Sequence, residues 1–190
     1  MRRVGFFGGT FDPIHCGHLN LAIHMLENCN LDEILFCPTS LSPHKESRPP
    51  KASKQHRLAM TALVIEEVEQ FSLLDWEAVQ EGPSFTIDTI RALIQASPDT
   101  QFHLLLGEDA LQDISLWKEP EELLSLAPPL VGVRSSASLQ KGLVPVPMME
   151  ISSTAIRERL RFKKYCGHWV PAKVLDYIRQ NRLYSSDEPK

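Results

Sequence analysis

A chain of 190 residues, 43% apolar and 23% charged, is long enough to bury one core and apolar enough to fill it. A formal net charge of −4 argues against a broad nucleic-acid-binding face, and no apolar run has the length of a membrane span or the form of a secretory signal. The four cysteines, at 16, 29, 37 and 166, contain no C-x-x-C pair, which fits neither a zinc ribbon nor a disulfide framework and points to reduced thiols in the cytoplasm.

Arg3–Phe7 reads as a buried strand that Gly8 and Gly9 bring to an end. The loop from Thr10 to Gly17 leads into a helix whose Leu19, Ala22, Ile23 and Leu26 fall at the spacing of one helical face. Glu33–Pro38 is a second strand, and residues 42–52, with three prolines and four charges, read as a mobile surface loop. Ser53 caps a helix with Leu58, Ala62 and Ile65 on its apolar face, and Arg57 on that helix suits solvent nearly as well as a ligand. Phe71–Trp76 is a short third strand. A turn at Gly82-Pro83-Ser84 follows, then a helix through Ile90, Leu93 and Ile94. Phe102–Leu106, nearly all apolar and stopped by Gly107, is the plainest strand of the chain.

Beyond it come a helix at Pro120–Leu126, a strand at Leu130–Val133, a polar loop over residues 135–141 and a strand at Leu143–Val146. Ser153–Phe162 and Pro171–Asn181 are helices, the second opened by a proline in its first turn. Strands that alternate with helices need crossover connections, hence a mostly parallel sheet covered on both faces. The expected fold class is α/β: one Rossmann-like, doubly wound parallel sheet with helices on both faces and a short helical C-terminal extension. Residues 1–190 are expected to form a single domain, with about 185–190 a flexible tail.

Between the first strand and the first helix stands Gly8-Gly9-Thr10-Phe11-Asp12-Pro13-Ile14-His15-Cys16-Gly17-His18. In an open parallel sheet, ligands bind beyond the carboxyl ends of the strands. The glycines allow a phosphate close to the backbone, and a helix beginning near Gly17 offers unpaired N–H groups and its positive dipole end. His15 and His18, three apart at a helix start, can address one ligand together. Donors aimed at an anion that gains charge in the transition state suit phosphoryl or nucleotidyl transfer. A metal site is the other reading of two histidines, but further ligands are lacking nearby. A Walker loop is excluded because no G-K-[ST] follows the glycines.

This segment resembles the G-x-F-D-x-x-H-x-G-H signature of the adenylyl- and cytidylyltransferase superfamily, and its form GGTFDPIHCGHL resembles that of bacterial nicotinate-nucleotide adenylyltransferases. A second segment, Ile151-Ser152-Ser153-Thr154-Ala155-Ile156-Arg157, reads by itself as a serine-capped helix start with a guanidinium one turn in. Beside the first motif it resembles the family's ISSTxIRxRL element, which closes on ATP. The resemblance runs from residue 4 to about 184. It implies transfer of AMP from ATP to nicotinate mononucleotide, giving nicotinate adenine dinucleotide and pyrophosphate, with no covalent enzyme intermediate. Mg²⁺ would be carried by the ATP phosphates, with no metal ligands on the protein.

The resemblance also implies site residues. His15, His18 and Arg157 would be catalytic. ATP would meet Gly8, Gly9, Thr10, Phe11, His15, His18, Gly107, Asp109, Ser153, Ile156 and Arg157. The mononucleotide would meet His44 and Lys45 in Pro43-His44-Lys45, Thr86 in Pro83-Ser84-Phe85-Thr86, Asp109 in Gly107-Glu108-Asp109, Trp117, and Arg134. Taken without the family, Thr86 suits a helix cap equally well, Asp109 a turn, and Trp117 a core position.

Departures from the family pattern lie at Phe85, where tyrosine is usual, Ala110, where serine is common, Thr39, where an amide often stands, and Ser135, where proline is usual. They bear on the base-binding end rather than on the histidines. The rivals are phosphopantetheine adenylyltransferase, which normally has threonine where His15 stands, a non-catalytic nucleotide sensor on the same fold, and an RNA-directed relative of the tRNA ligases. Partners are then ATP and nicotinate mononucleotide, with no nucleic acid or membrane; a homo-oligomer is left open.

Overall fold

In the computed structural model, which describes residues 1–39, 49–76, 84–133, 142–147 and 149–185, alternation along each strand decides which helix packs where. Strand β1 (Arg2–Gly9) sends Val4 and Phe6 to one face of the sheet and Phe7 to the other. In β2 (Glu33–Pro38), Ile34 and Phe36 join Phe7, whereas Cys37 joins the opposite layer. In β4 (Thr100–Gly107), counted after β3 (Phe71–Leu73), Phe102, Leu104 and Leu106 face one way and Leu105 the other. With β5 (Pro129–Val133) and β6 (Leu143–Pro145) these strands form a six-stranded sheet of order β3-β2-β1-β4-β5-β6. Every pairing is parallel, with Phe6 opposite Leu35 on one side and Leu104 on the other. This order reverses direction between β1 and β4, so the crevice of a doubly wound sheet opens beyond their carboxyl ends.

Helix α1 (Cys16–Asn28), α2 (Lys54–Ile65) and the C-terminal α7 (Ala172–Gln180) cover the Phe7 face. On the Phe6 face lie α3 (Thr86–Ala96) and α5 (Pro120–Leu126), which are tied to each other by contacts along their length. Between β4 and α5 run a short α4 (Glu108–Gln112) and a 3₁₀ turn at Ile114–Leu116. Helix α6 (Ser153–Arg161) places Ile156 in the Phe7-side core. Close packing of α1 on β5 requires Gly132, where a Cβ would collide with Leu21 Cδ1.

Several sequence expectations shift. The third strand ends at Leu73 rather than Trp76. On α1 the buried residues are Leu21, Ala22 and Met25, with Leu19, Ile23 and Leu26 at the margins of the core, because the helix is gripped between β1 and β5 along a different stripe. On α2 the buried stripe is Arg57, Met60, Thr61, Val64 and Ile65, while Leu58 and Ala62 are only half-buried. Ser53 does cap α2, its Oγ accepting from His56 N at 3.3 Å. Pro171 occupies the cap of α7, one residue ahead of the expected first turn. Helix α4 and the 3₁₀ turn had no counterpart in the sequence reading. Residues 42–48 of the loop expected over 42–52, residues 82–83 of the turn expected at 82–84, the loop expected at 135–141 and residues 186–190 of the expected tail lie outside the described residues. None of the described helices is long and apolar enough to cross a membrane.

Candidate active site

The loop between β1 and α1 is held open by its own aromatic ring. Phe11 adopts φ +47°, a left-handed conformation that costs a residue with a Cβ about 1 kcal/mol or more. Its ring is buried and packs edge-on against Phe7 at 5.4 Å and His18 at 5.0 Å. A Cβ on Gly9 would stand 2.7 Å from that ring, so this glycine makes room for Phe11. The Asp12–Pro13 peptide is cis.

His15 is the cap residue of α1, and its imidazole stacks on that of His18 with centroids 3.7 Å apart. The two rings therefore stand together at the N-terminus of α1, as the spacing required. The backbone N–H of His15 donates to His18 Nδ1 at 3.2 Å. A neutral His18 whose Nδ1 accepts must carry its proton on Nε2, which makes Nε2–H the donor left for a ligand. Burial brings the His15 imidazole down to about 4; burial, with His15 beside it, holds His18 well below the usual histidine value. Both rings are therefore neutral near pH 7.

The second motif docks onto the first. Ser152 caps α6 by accepting from Ala155 N at 3.2 Å, which leaves Ser153 Oγ to donate to the Pro13 carbonyl at 3.0 Å. Arg157, one turn into α6, donates from Nη1 to the Asp12 carbonyl at 2.6 Å and from Nη2 to Thr154 Oγ1 at 3.1 Å. The side chain of Ile156 is fully buried in the core and its N–H is bonded to the Ser152 carbonyl, so little of it faces outward.

Asp12 sits at the centre of this junction and is only 3% exposed. Its Oδ1 accepts from Ala52 N at 3.1 Å and from the Tyr184 hydroxyl at 2.7 Å. Its Oδ2 accepts from Lys51 N at 2.8 Å and lies 3.5 Å from Arg157 Nη1. Burial, reinforced by the Asp12 carboxylate, pushes the Tyr184 phenol far above its ordinary value, so it remains a donor. Arg57 reaches the same loop from below, Nη1 donating to the Thr10 carbonyl at 2.7 Å, and is buried rather than solvent-facing. Sequence reasoning gave Asp12 and Tyr184 no role. The available signal for Arg57 was its place on the α2 stripe with Met60, Thr61 and Val64, where an arginine must be paired to be tolerated.

A cleft of about 290 Å³ opens beside this junction, beyond the carboxyl ends of β1 and β4. Gly8, Gly9 and Thr10 line it together with Thr86, Gly107 and Trp117, which lie far from them in sequence. A Cβ on Gly107 would meet nothing within 4 Å, consistent with its facing open space. Trp117 is half-buried against the Phe6-side core. The departures Thr39, Phe85 and Ala110 all line the same cleft. Lys118 Nζ lies 4.8 Å over the Phe85 ring and pairs with Asp88 Oδ2 at 2.9 Å. The histidine pair and Asp109 are not part of the lining; Asp109 is exposed in the first turn of α4. His44, Lys45 and Arg134 lie outside the described residues. Among the described residues no three His, Cys, Asp or Glu side chains converge as a metal site would require.

Residues 6–159 match the cytidylyltransferase-like family. A protein of Synechococcus sp. (strain JA-3-3Ab) named "Probable nicotinate-nucleotide adenylyltransferase" is 39% identical over 197 residues, covering 96% of this chain and 95% of its own length. One of the same name from Bacillus cereus (strain Q1) is 40% identical over 191 residues, covering 98% and 100%. Among solved structures, the Plasmodium falciparum nicotinic acid mononucleotide adenylyltransferase complexed with NaAD shares the fold at a TM-score of 0.80 and 22% identity, over 97% of this chain and 98% of that one.

Proposed function

Since the chain belongs to the cytidylyltransferase-like family and, within it, to the nicotinate-nucleotide adenylyltransferases, we propose that it transfers AMP from ATP to nicotinate mononucleotide, a step of NAD biosynthesis. One observation of the fold carries most weight: residues 12–13 and residues 153–157 interlock beside a cleft at the carboxyl edge of the sheet. In the reaction a phosphate oxygen of the mononucleotide attacks the α-phosphorus of ATP. The bond from that phosphorus to the oxygen bridging to the β-phosphate breaks, and pyrophosphate leaves with the electron pair. No protein nucleophile is needed, so catalysis reduces to alignment and charge stabilisation.

The triphosphate lies along Gly8–Phe11 and the start of α1. His18 donates from Nε2, His15 stands beside it, and Arg157 helps to neutralise the leaving pyrophosphate, while Ser153 fixes the start of α6 against the Pro13 carbonyl at the ATP site. Neutral, desolvated imidazoles fit this task because they are donors already in place, without a water shell to shed. Asp109 takes ribose hydroxyls near Gly107. The mononucleotide occupies the cleft, with Trp117 under the pyridine ring and Thr86 at its carboxylate; His44, Lys45 and Arg134 serve its phosphate and ribose. Mg²⁺ travels on the ATP phosphates and water, where it offsets their charge. Asp12 suits no ligand role, since its oxygens already accept from Lys51, Ala52 and Tyr184.

The test is an assay of pyrophosphate release with ATP, Mg²⁺ and each acceptor in turn: nicotinate mononucleotide, nicotinamide mononucleotide and phosphopantetheine. Nicotinate mononucleotide is expected to lead, by at least roughly tenfold in kcat/KM over the amide, because an amide N–H₂ placed against the Thr86 donors leaves them unpaired. Turnover with phosphopantetheine alone would replace this function with another of the same fold.

A further inference from the structure

We propose that Tyr184, at the far end of the chain, is a positioning residue that keeps the Arg157 guanidinium free to serve ATP; the assignment rests on the phosphate role of Arg157 given above. Beyond its hydrogen bonds to the Asp12 carbonyl and Thr154 Oγ1, the charge of Arg157 has two anionic claimants. One is the incoming triphosphate, and the other is the Asp12 carboxylate, whose Oδ2 is already 3.5 Å from Nη1. At that distance the pair is loose. A carboxylate this buried attracts a guanidinium strongly unless its charge is spread over other donors. Three donors do this: Lys51 N and Ala52 N from the chain entering α2, and the Tyr184 hydroxyl. Two are main-chain groups fixed by the course of the backbone. Tyr184 gives the one side-chain hydrogen bond of these three, and the shortest at 2.7 Å, while the buried Arg57 cation acts on the same carboxylate electrostatically.

The local conformation also points to a specific use of this ring. Tyr184 adopts φ +60°, in the left-handed region that residues with a large side chain seldom occupy, yet its side chain is buried. The preceding turn is closed by Leu183 N donating to the Ile178 carbonyl, which brings the chain back from α7 toward the first motif. A contact spanning 172 residues thus ends on the same carboxylate that Arg157 faces. With the hydroxyl gone, Asp12 Oδ1 keeps only Ala52 N among these donors, the carboxylate becomes the stronger acceptor, and Arg157 is drawn onto it.

The experiment is a double-mutant cycle on the full chain with Tyr184→Phe and Arg157→Ala, reading ATP affinity by titration calorimetry and steady-state constants for both substrates. Tyr184→Phe is expected to weaken ATP binding and kcat/KM for ATP about tenfold, the scale of one lost hydrogen bond to a charged group. KM for the mononucleotide should stay within about twofold. In the Arg157→Ala background, Tyr184→Phe should change ATP affinity no further. Unchanged ATP affinity in Tyr184→Phe overturns the proposal, as does an equal loss with and without Arg157 or an equal shift for both substrates, each the mark of a general packing role. Should the phenylalanine variant melt near the assay temperature, Tyr184→His, which keeps a ring N–H, and Tyr184→Leu, which keeps none, are compared in the cold. A difference in ATP affinity between them supports the proposal, and equality overturns it. A wild type that binds ATP but releases no pyrophosphate with nicotinate mononucleotide would defeat the enzymatic reading while leaving this cycle readable through ATP binding.

Discussion

Where the phosphate end of the site hangs on side chains from residues 12, 153, 157 and 184 and on the Ala52 N–H, held by buried and part-buried hydrogen bonds, the cleft end is walled by short elements. Helix α4 has 5 residues and the 3₁₀ turn 3, so neither carries a stripe long enough to bury itself, and neither has a fully buried residue. They rest on the Phe6-side core only through the partly buried Ala110, Leu111 and Ile114, and beside them α3 and the start of α5 are joined by a solvent-exposed web in which Arg91 meets Asp88, Glu119 and Glu122 and Lys118 meets Asp88; exposed pairs of this kind contribute little. This contrast would suit the proposed transfer, in which the chemistry is assigned to the first end and recognition of the acceptor to the second. The histidines illustrate the first half: the two rings are stacked, and His18 is backed by Phe7 and Phe11 and fixed in one tautomer by the His15 N–H.

The largest effect that tests this contrast is at His18. His18→Ala is expected to lower turnover by roughly two to four orders of magnitude, the scale of losing a main transition-state donor, with the circular dichroism spectrum preserved. Near-normal turnover in a folded variant would remove the phosphate end from the chemistry.

Trp117→Ala addresses the other end. It should weaken use of the mononucleotide by roughly tenfold or more, the loss of one stacking contact, and alter ATP use far less. An equal loss for both substrates would mean that the two ends are one mechanical unit, and the contrast would fail.

The smallest effect concerns stability and pH. The folded His15 titrates at about 4 rather than near its ordinary 6.5, so between these values the unfolded chain holds a proton that the folded chain does not. Stability should therefore fall as pH drops through that window, by up to about 1.4 kcal/mol per pH unit from this group. Urea unfolding at a series of pH values should show a shallower slope for His15→Asn than for the wild type. Parallel slopes would show that the ring is not held in its desolvated, neutral state.

Read along the chain, the strand runs were legible because a sheet buried on both faces demands nearly continuous apolar residues, and Glu33–Pro38 begins and ends where expected. The glycine-histidine segment and the serine-arginine segment were legible as motifs because hydrogen-bonding chemistry at a helix start restricts residue types over a few adjacent positions. The short α4 and the 3₁₀ turn were not, since elements of that length lack a period to detect. Nor were the true buried stripes of α1 and α2: several helical faces were apolar enough, and only packing against β1, β5 and the C-terminal helix selected among them.

The sequence by itself determined the alternating α/β order, the place of the phosphate loop after the first strand, and the types of donor available there, because each depends on neighbours within a few residues. Tertiary structure alone decided that Asp12 is the shared acceptor of Lys51, Ala52 and Tyr184, that Arg57 turns inward to the Thr10 carbonyl, and that Thr86 and Trp117 line one cleft with Gly8 and Gly9. The physical reason is distance along the chain. A carboxylate that joins residue 12 to residue 184 exists only after the sheet has closed and α7 has packed, and no local pattern in either segment records the partner.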